Sequence, residues 1–211
     1  MIRTWMADIS PLYLEEKYME VYNTLPRFRK LKADGIKSKC KKAQSVGVWF
    51  LLQAVRKKYN ISDNAIFNLS HTGDYVVCCI DMDECEDTLV GVDGEVVHNI
   101  SPGLAKRFYC QGEYEHILKQ SKDKRCEEFI RIWVLKESFM KATRKGMALD
   151  TRSYEFDLEK EVKLIRKPEQ YNRDFYFKEY APCGTSCKVA VCSTDKNICD
   201  YIDMSFFNIF K

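Results

Sequence analysis

The stretch Phe129-Ile-Arg-Ile-Trp133-Val-Leu-Lys136-Glu137-Ser-Phe-Met-Lys141 predicts a long helix that carries charge on its apolar face. At about 100° per residue, Phe129, Trp133 and Met140 project within roughly 40° of one another, and Glu137 lies about 40° from Trp133. Burying an ionised carboxylate alone costs several kcal/mol. Glu137 therefore indicates an ion pair, a metal or a cleft, although Glu137 and Lys141 also have the i, i+4 spacing of exposed helix pairs.

The composition is that of an ordinary globular protein. The chain has 211 residues, 45% of them hydrophobic and 31% charged, which suffices for one core or for two closely packed halves. Its ten cysteines form no repeated C-x-x-C pair and no histidine clusters with them, so a zinc site is not predicted. The first residues lack an apolar signal region and no apolar run would span a bilayer. We therefore expect a cytoplasmic protein with reduced thiols and no membrane partner.

Positive charge is concentrated near the start of the chain. Between Arg27 and Lys58 there are eleven Lys or Arg residues against one acid, Asp34. Such a run suits a polyanion, which could be nucleic acid, a membrane surface or a nucleotide cofactor, but it is equally typical of a solvated helix face. Nucleic-acid binding would leave Glu137 unexplained, so we expect no nucleic-acid partner.

A second unusual stretch is Leu89-Val-Gly-Val-Asp93-Gly94-Glu95-Val-Val97, which predicts a strand. Because side chains alternate along a strand, Asp93 and Glu95 share one face. Two like charges side by side destabilise the fold unless a cation lies between them, and a hard divalent ion with oxygen ligands is the usual solution. The alternative is a fraying strand end at which both acids are solvated.

The remaining pattern alternates helices with strands and predicts two α+β halves. Helices are expected over 12–22, 45–55, 103–109, 113–119 and 127–144, the last with Gly146 as its C′ residue. Further strands are expected over 2–9, 67–69, 75–80, 154–158, 162–165, 175–180 and 188–192. Ser70 and His71 fall in a predicted turn between two of these strands.

Three ordered motifs resemble the signature of the phosphopantetheinyl transferases of the surfactin-synthetase-activating type. They are Phe67-Asn-Leu-Ser-His71-Thr-Gly73, Gly91-Val-Asp93-Gly-Glu95 and Trp133-Val-Leu-Lys136-Glu137-Ser-Phe-Met-Lys141. Each motif alone is weak, but three in order at fitting intervals, within a resemblance from about residue 26 to 192, are more specific. The resemblance implies an α+β fold made of a pseudo-two-fold pair of similar α/β halves, each a small antiparallel sheet packed on helices. Residues 1–88 would form the half with the basic coenzyme A-binding run, and 89–211 the half with the magnesium carboxylates.

The resemblance also implies a reaction. The family transfers the 4′-phosphopantetheine group from coenzyme A to a serine of an acyl or peptidyl carrier protein, depends on Mg²⁺ and releases 3′,5′-ADP. By resemblance we expect a monomer in which Asp93, Glu95 and Glu137 hold the metal. Lys136 and Lys141 would lie along the diphosphate, and Glu113 would accept the serine proton. The phosphates of coenzyme A would be bound by Ser70, His71, Lys41 and Lys42.

Two departures from the family pattern stand out. Gly94 replaces the apolar residue that usually separates the two acids, which weakens the strand by up to about 1 kcal/mol. Family members also place a Gly-Lys-Pro segment and a longer loop before the first motif, whereas here residues 60–66 run straight into Phe67. The alternative function is therefore a degenerate family member that binds a carrier protein or coenzyme A without catalysis.

Overall fold

Two three-stranded antiparallel sheets form the framework of the molecule. The computed structural model describes the backbone of residues 1–211 and the side chains of all except Pro102 and Met147. The helices are α1 (Glu15–Thr24), α2 (Arg27–Asp34), α3 (Lys39–Tyr59), α4 (Pro102–Phe108), α5 (Gln111–Lys119) and α6 (Arg125–Ala142). The strands are β1 (Ile2–Asp8), β2 (Phe67–Thr72), β3 (Tyr75–Asp81), β4 (Val90–Val96), β5 (Glu155–Asp157), β6 (Lys163–Arg166), β7 (Tyr176–Tyr180) and β8 (Cys187–Ser193). None of the helices described here has the length and apolar character that crossing a membrane requires.

The two sheets repeat one topology. The first sheet has the strand order β1-β3-β2 and the second has the order β4-β8-β7. Each begins with an edge strand, continues through helices and ends in a hairpin whose second strand is central. The long helix α3 packs on the first sheet and α6 packs on the second. The structure thus confirms the predicted α+β fold of two similar parts, each a small antiparallel sheet packed on helices.

Three apolar clusters hold these layers together. One lies between α1–α3 and the first sheet and includes Trp5, Leu51 and Leu52. A second lies between α4–α6 and the second sheet, with Phe139 near its centre. The third joins the two sheets through short apolar side chains such as Val77 and Val92. The cavity described below lies between β2 of the first sheet and β4 and α6 of the second unit.

The helix α2 was not predicted, because lysines and arginines obscure its buried face. Arg29 is almost fully buried, donates from Nη2 to the carbonyl oxygen of Ser45 at 2.8 Å, and lies over the ring of Trp49 at 4.7 Å. The two large apolar residues of the same helix, Phe28 and Leu31, are exposed. A periodicity argument that expects apolar residues inside and charged ones outside fails on such a helix.

The ends of the long helices also differ from the prediction. The helix α3 begins at Lys39, where Ser38 Oγ accepts a hydrogen bond from the backbone N–H of Lys41. The helix α6 ends at Ala142, and Arg144, with φ of 56°, takes the left-handed conformation beyond it. The prediction that Gly146 is the C′ residue is therefore wrong. Its φ of 53° belongs to the next turn.

The C-terminal segment returns to the first sheet. The backbone N–H groups of Ile2 and Asp203 donate to Asn197 and Thr4 at 2.8 Å each, so residues 197–203 cover the outer edge of β1. Phe210 completes the core beneath α3. The division into 1–88 and 89–211 stays a prediction, and this segment of the second unit packs on the core of the first.

A buried ion pair joins α5 to α6. Lys136 Nζ lies 2.9 Å from Glu113 Oε1, and neither side chain is exposed to solvent. Glu113 also accepts hydrogen bonds from the backbone N–H groups of Cys110 at 2.9 Å and Phe156 at 3.0 Å. Lys136 donates to the carbonyl oxygens of Thr151 at 2.8 Å and Tyr154 at 2.9 Å. Burial lowers the pKa of Lys136, and the Glu113 carboxylate opposes that effect.

We expect Lys136→Met to destabilise the protein by about 3–5 kcal/mol, because removing one partner leaves the other charge buried and unpaired. The free energy of unfolding, measured by urea denaturation, tests this. Lys178→Met is the matched control, since it removes one side of an exposed pair with Asp200 and should change little. A loss no larger than that of the control would contradict the structural role of the pair.

Candidate functional site

Asp93 and Glu95 line one cavity of about 410 Å³ between β2, β4 and α6. As their spacing predicts, both side chains project from the same face of β4. The helix α6 contributes Trp133, Glu137 and Lys141 to the same cavity. The three acids of the second and third motifs are thus brought together, with a lysine beside them.

The position of α6 is set by Gly91 on β4. A Cβ atom at this position would lie 2.1 Å from the carbonyl oxygen of Ser138 and 2.4 Å from the backbone nitrogen of Ala142. Such contacts are with backbone and cannot be relieved by rotating a side chain. The helix therefore lies directly against the strand, which brings Glu137 and Lys141 next to the acids of β4.

Polar side chains of β2 bind the free edge of β4. The backbone N–H groups of Val92 and Val96 donate to Asn68 Oδ1 at 3.1 Å and to Thr72 Oγ1 at 3.0 Å. Between them, the N–H of Gly94 lies 3.4 Å from Ser70 Oγ. We call this row of contacts the polar ladder. It satisfies an otherwise unpaired strand edge and replaces a backbone ladder between the two sheets.

The strand β2 is longer than predicted. It contains Ser70 and His71, which were expected in a turn. Both line the cavity, with His71 at its exposed mouth. Partial desolvation of the ring and then the charge of Lys141 lower the pKa of His71, which favours its neutral form. A neutral imidazole can donate one hydrogen bond and accept another.

Lys141 connects the three elements around the cavity. Its ammonium donates to Asp93 Oδ1 at 2.7 Å, to Ser70 Oγ at 2.9 Å and to the carbonyl oxygen of Val92 at 3.0 Å. Ser70 in turn donates to Asp93 Oδ1 at 2.8 Å. The carboxylate of Asp93, which is 7% exposed, is thus fixed by two side chains from different elements.

The cavity holds more negative than positive charge. Desolvation and then the neighbouring Asp93 raise the pKa of Glu95, and the same two causes raise the pKa of Glu137. The positive charge of Lys141 opposes both shifts. Three acids therefore share one lysine, and a further cation would relieve their mutual repulsion.

The donor set of this cavity fits a hard divalent cation in its chemistry, since all three acids offer oxygen ligands. A different trio of acids meets the distance criterion for a shared metal ion. Within the described residues, the ligand atoms of Asp81, Asp83 and Asp195 all lie within 4.8 Å of one another. The amino group of Met1 lies 3.6 Å from Asp81 Oδ1 and 2.9 Å from Asp195 Oδ2, and it also contacts Asp83. In this structure the amino group of Met1 is thus the cation beside that second trio.

Glu113 and Lys136 do not reach the cavity, contrary to the sequence-based expectation. Lys136 directly precedes Glu137, and its side chain projects about 100° away from that of Glu137 on the helix, so it faces α5 and β5 and not β4. Both side chains are sealed in the buried pair described above. A group without solvent access and already bonded to two backbone N–H groups is not placed to take a proton from an incoming serine.

Lys41 and Lys42 also lie away from the acids. They belong to the first turns of α3, and Lys42 lines a separate cavity with Tyr13 and Cys40. The structure does not bring either lysine to the cavity that contains Asp93. Their contact with a phosphate of coenzyme A stays a prediction.

Comparisons with known proteins agree with the three motifs. The family model described as the 4′-phosphopantetheinyl transferase superfamily matches residues 89–192. The chain is 32% identical to the 4′-phosphopantetheinyl transferase ffp of Bacillus subtilis over 141 residues, and 32% identical to the 4′-phosphopantetheinyl transferase Sfp of Bacillus subtilis (strain 168) over 142 residues. Each alignment covers 67% of this chain and 60% of the relative.

One solved structure that resembles this chain is that of the holo-[acyl-carrier-protein] synthase of Thermotoga maritima, with a TM-score of 0.41 and 21% sequence identity. The match covers 49% of this chain and 61% of that one. This chain spans only 60% of the length of the two Bacillus relatives. The family match nevertheless contains both acids of β4 and the whole of α6. On these matches, residues 89–192 are similar to the 4′-phosphopantetheinyl transferase superfamily.

Proposed function

We propose that this protein transfers the 4′-phosphopantetheine group from coenzyme A to a serine of an apo acyl or peptidyl carrier protein, with Mg²⁺, and releases 3′,5′-ADP. We propose further that it acts as a cytoplasmic monomer, as the sequence predicts. The observation that carries the proposal is the convergence of Asp93, Glu95 and Glu137 on one cavity with Lys141. The names of the two Bacillus relatives support it, since both are 4′-phosphopantetheinyl transferases.

In this reaction the serine oxygen forms a bond to the phosphorus that carries pantetheine. The bond from that phosphorus to the bridging oxygen breaks, and 3′,5′-ADP leaves with the negative charge. Asp93, Glu95 and Glu137 would hold Mg²⁺, which supplies neutralisation of the diphosphate charge. Oxygen ligands on three carboxylates suit that ion.

The residues of the cavity have separate tasks. Lys141 places a fixed positive charge beside Asp93 and keeps that carboxylate oriented. The ring of His71 offers a hydrogen bond along the β2 wall, whereas Ser70, whose hydroxyl donates to Asp93, would bind a phosphate in exchange for that bond. Because Glu113 is sealed in its pair with Lys136, and Glu95 and Glu137 would coordinate the metal, the serine proton passes to water.

The proposal predicts that incubation with coenzyme A, Mg²⁺ and several apo carrier proteins adds a phosphopantetheine-sized mass to a carrier serine. Intact-mass spectrometry of each carrier provides the readout. Omitting Mg²⁺ should abolish the gain. If coenzyme A binds but no carrier gains mass, the protein is the non-catalytic family member instead.

We expect Glu137→Gln to reduce transfer by about a hundred- to a thousandfold, because loss of one charged ligand removes several kcal/mol of charge stabilisation. Circular dichroism should show an unchanged fold, since glutamine keeps the size of the side chain. The matched control is Glu161→Gln at an exposed position outside the cavity, which should keep the full rate. Equal rates for both variants at low Mg²⁺ would rule out the carboxylate site.

A further inference from the structure

Lys141 uses all three of its hydrogen-bond donors within the protein. An ammonium group has three N–H bonds and no acceptor. They point to Asp93 Oδ1 at 2.7 Å, to Ser70 Oγ at 2.9 Å and to the carbonyl oxygen of Val92 at 3.0 Å. We call this arrangement the lysine seat. Lys141 can contact a phosphate only if it gives up one of these three acceptors.

The oxygen of Asp93 that Lys141 contacts is also fully used. Its Oδ1 atom accepts from Lys141 at 2.7 Å and from Ser70 Oγ at 2.8 Å. A carboxylate oxygen has about two lone pairs, so a cation can bind this atom only in place of one of the two donors. A cation on the other oxygen of the carboxylate would lie close to the same ammonium, and the two positive charges would repel each other. Lys141 and a divalent cation therefore compete for Asp93.

The three acids of the cavity are not gathered around one point. Asp93, Glu95 and Glu137 are all in the described part of the chain, yet their ligand oxygens do not all lie within 4.8 Å of one another. Mg²⁺ binds its ligands at about 2.1 Å in a near-octahedral arrangement, so the oxygens around one ion lie closer together than this. At least one carboxylate must therefore move before the three can share an ion. Release of Asp93 from the lysine seat allows such a movement.

Lys141 differs from the other lysine of the same motif in its freedom to move. The side chain of Lys136 is fully buried, whereas that of Lys141 is 27% exposed and borders the cavity. Lys141 lies in the last turn of α6, and its charge is carried on a flexible four-carbon stem. A rotation within that stem changes the oxygen that the ammonium contacts and leaves the helix in place.

We propose that Lys141 is an exchangeable cation, which holds Asp93 in the lysine seat, releases it to a divalent cation and turns to an oxygen of the diphosphate. This inference rests on the proposed function, which supplies the diphosphate. The positive charge of Lys141 stays in the cavity throughout, and only the oxygen that it contacts changes. Because each of the two exchanges makes the other easier, the cation and the diphosphate bind with positive coupling.

The first test uses a metal alone. Binding of Mn²⁺, which also prefers oxygen ligands, is measured from the EPR signal of the free ion. We expect Lys141→Met and Ser70→Ala to bind Mn²⁺ about tenfold more tightly than the wild type, because each variant weakens the lysine seat. Ser70→Ala changes no charge, so an unchanged Mn²⁺ affinity in this variant would overturn the proposal. The matched control is Asn68→Ala, which removes the neighbouring contact of the polar ladder and should keep the wild-type affinity.

The second test asks whether a divalent cation replaces the lysine. Lys141→Met leaves the carboxylate of Asp93 without its cation and should lower the Tm, and Mg²⁺ should raise the Tm of this variant more than that of the wild type. The control is Lys136→Met on the same helix. It leaves Glu113 unpaired, but that carboxylate is closed to solvent, so Mg²⁺ should not restore its Tm. Equal effects of Mg²⁺ on the wild type and on Lys141→Met would contradict the exchange.

The third test follows coenzyme A by titration calorimetry, once with Mg²⁺ and once with EDTA. We expect Lys141→Met to weaken binding about tenfold with Mg²⁺ and much less in EDTA, where the wild-type lysine still holds Asp93. Equal losses under both conditions would show that Lys141 binds the phosphate independently of the cation, and would overturn the exchange. The test with Mn²⁺ needs neither coenzyme A nor a carrier protein. Tighter Mn²⁺ binding by Ser70→Ala without any coenzyme A binding would therefore contradict the proposed function and support the competition for Asp93.

Discussion

The contact between Gly91 on β4 and the backbone of α6 is the constraint on which the site depends. With no side chain between strand and helix, Ser138 and Ala142 pack against the strand itself. The acids of β4 and the charged residues of α6 therefore face one another over a narrow space. Any larger residue at Gly91 would push the helix away from the strand. Glu137 and Lys141 would then move away from the acids of β4. A single small residue thus determines the width of the cavity.

The molecule places charges on α6 in two different environments. On one side, Lys136 and Glu113 are fully buried, paired and bonded to backbone groups, so every polar atom of the pair has partners. On the other side, Glu137 shares a solvent-accessible cavity with two further acids and one lysine. A buried pair with all its polar atoms bonded stabilises the contact between two helices, whereas the excess of like charge lies where we propose that the cation binds. Neighbouring residues of one motif therefore serve different purposes.

The elements that could be predicted from the sequence are those in which apolar and polar residues recur at the spacing of one strand or one helix. The strand that carries Asp93 and Glu95 and the helix that carries Glu137 were predicted because alternation and helical spacing are clear there. Lys136 was expected along the diphosphate by resemblance alone, which does not account for the turn of about 100° that separates its side chain from that of Glu137. Arg29 was missed because its buried guanidinium lies within a run of cations that is typical of a solvated helix face. The polar ladder could not be predicted, because its acceptors matter only once β2 lies beside β4.

The return of residues 197–203 to the edge of β1 has a consequence for the order of folding. Ile2 and Asn197 are joined by a hydrogen bond of 2.8 Å, so this contact closes a loop that contains almost the whole chain. The entropy of closing a loop rises only slowly with its length, but contacts of such large sequence separation form late and slow folding. On the ribosome, β1 must wait for residues that are synthesised after the entire second sheet. Until then its outer edge is unpaired, and a nascent chain at this stage is open to pairing with other strands.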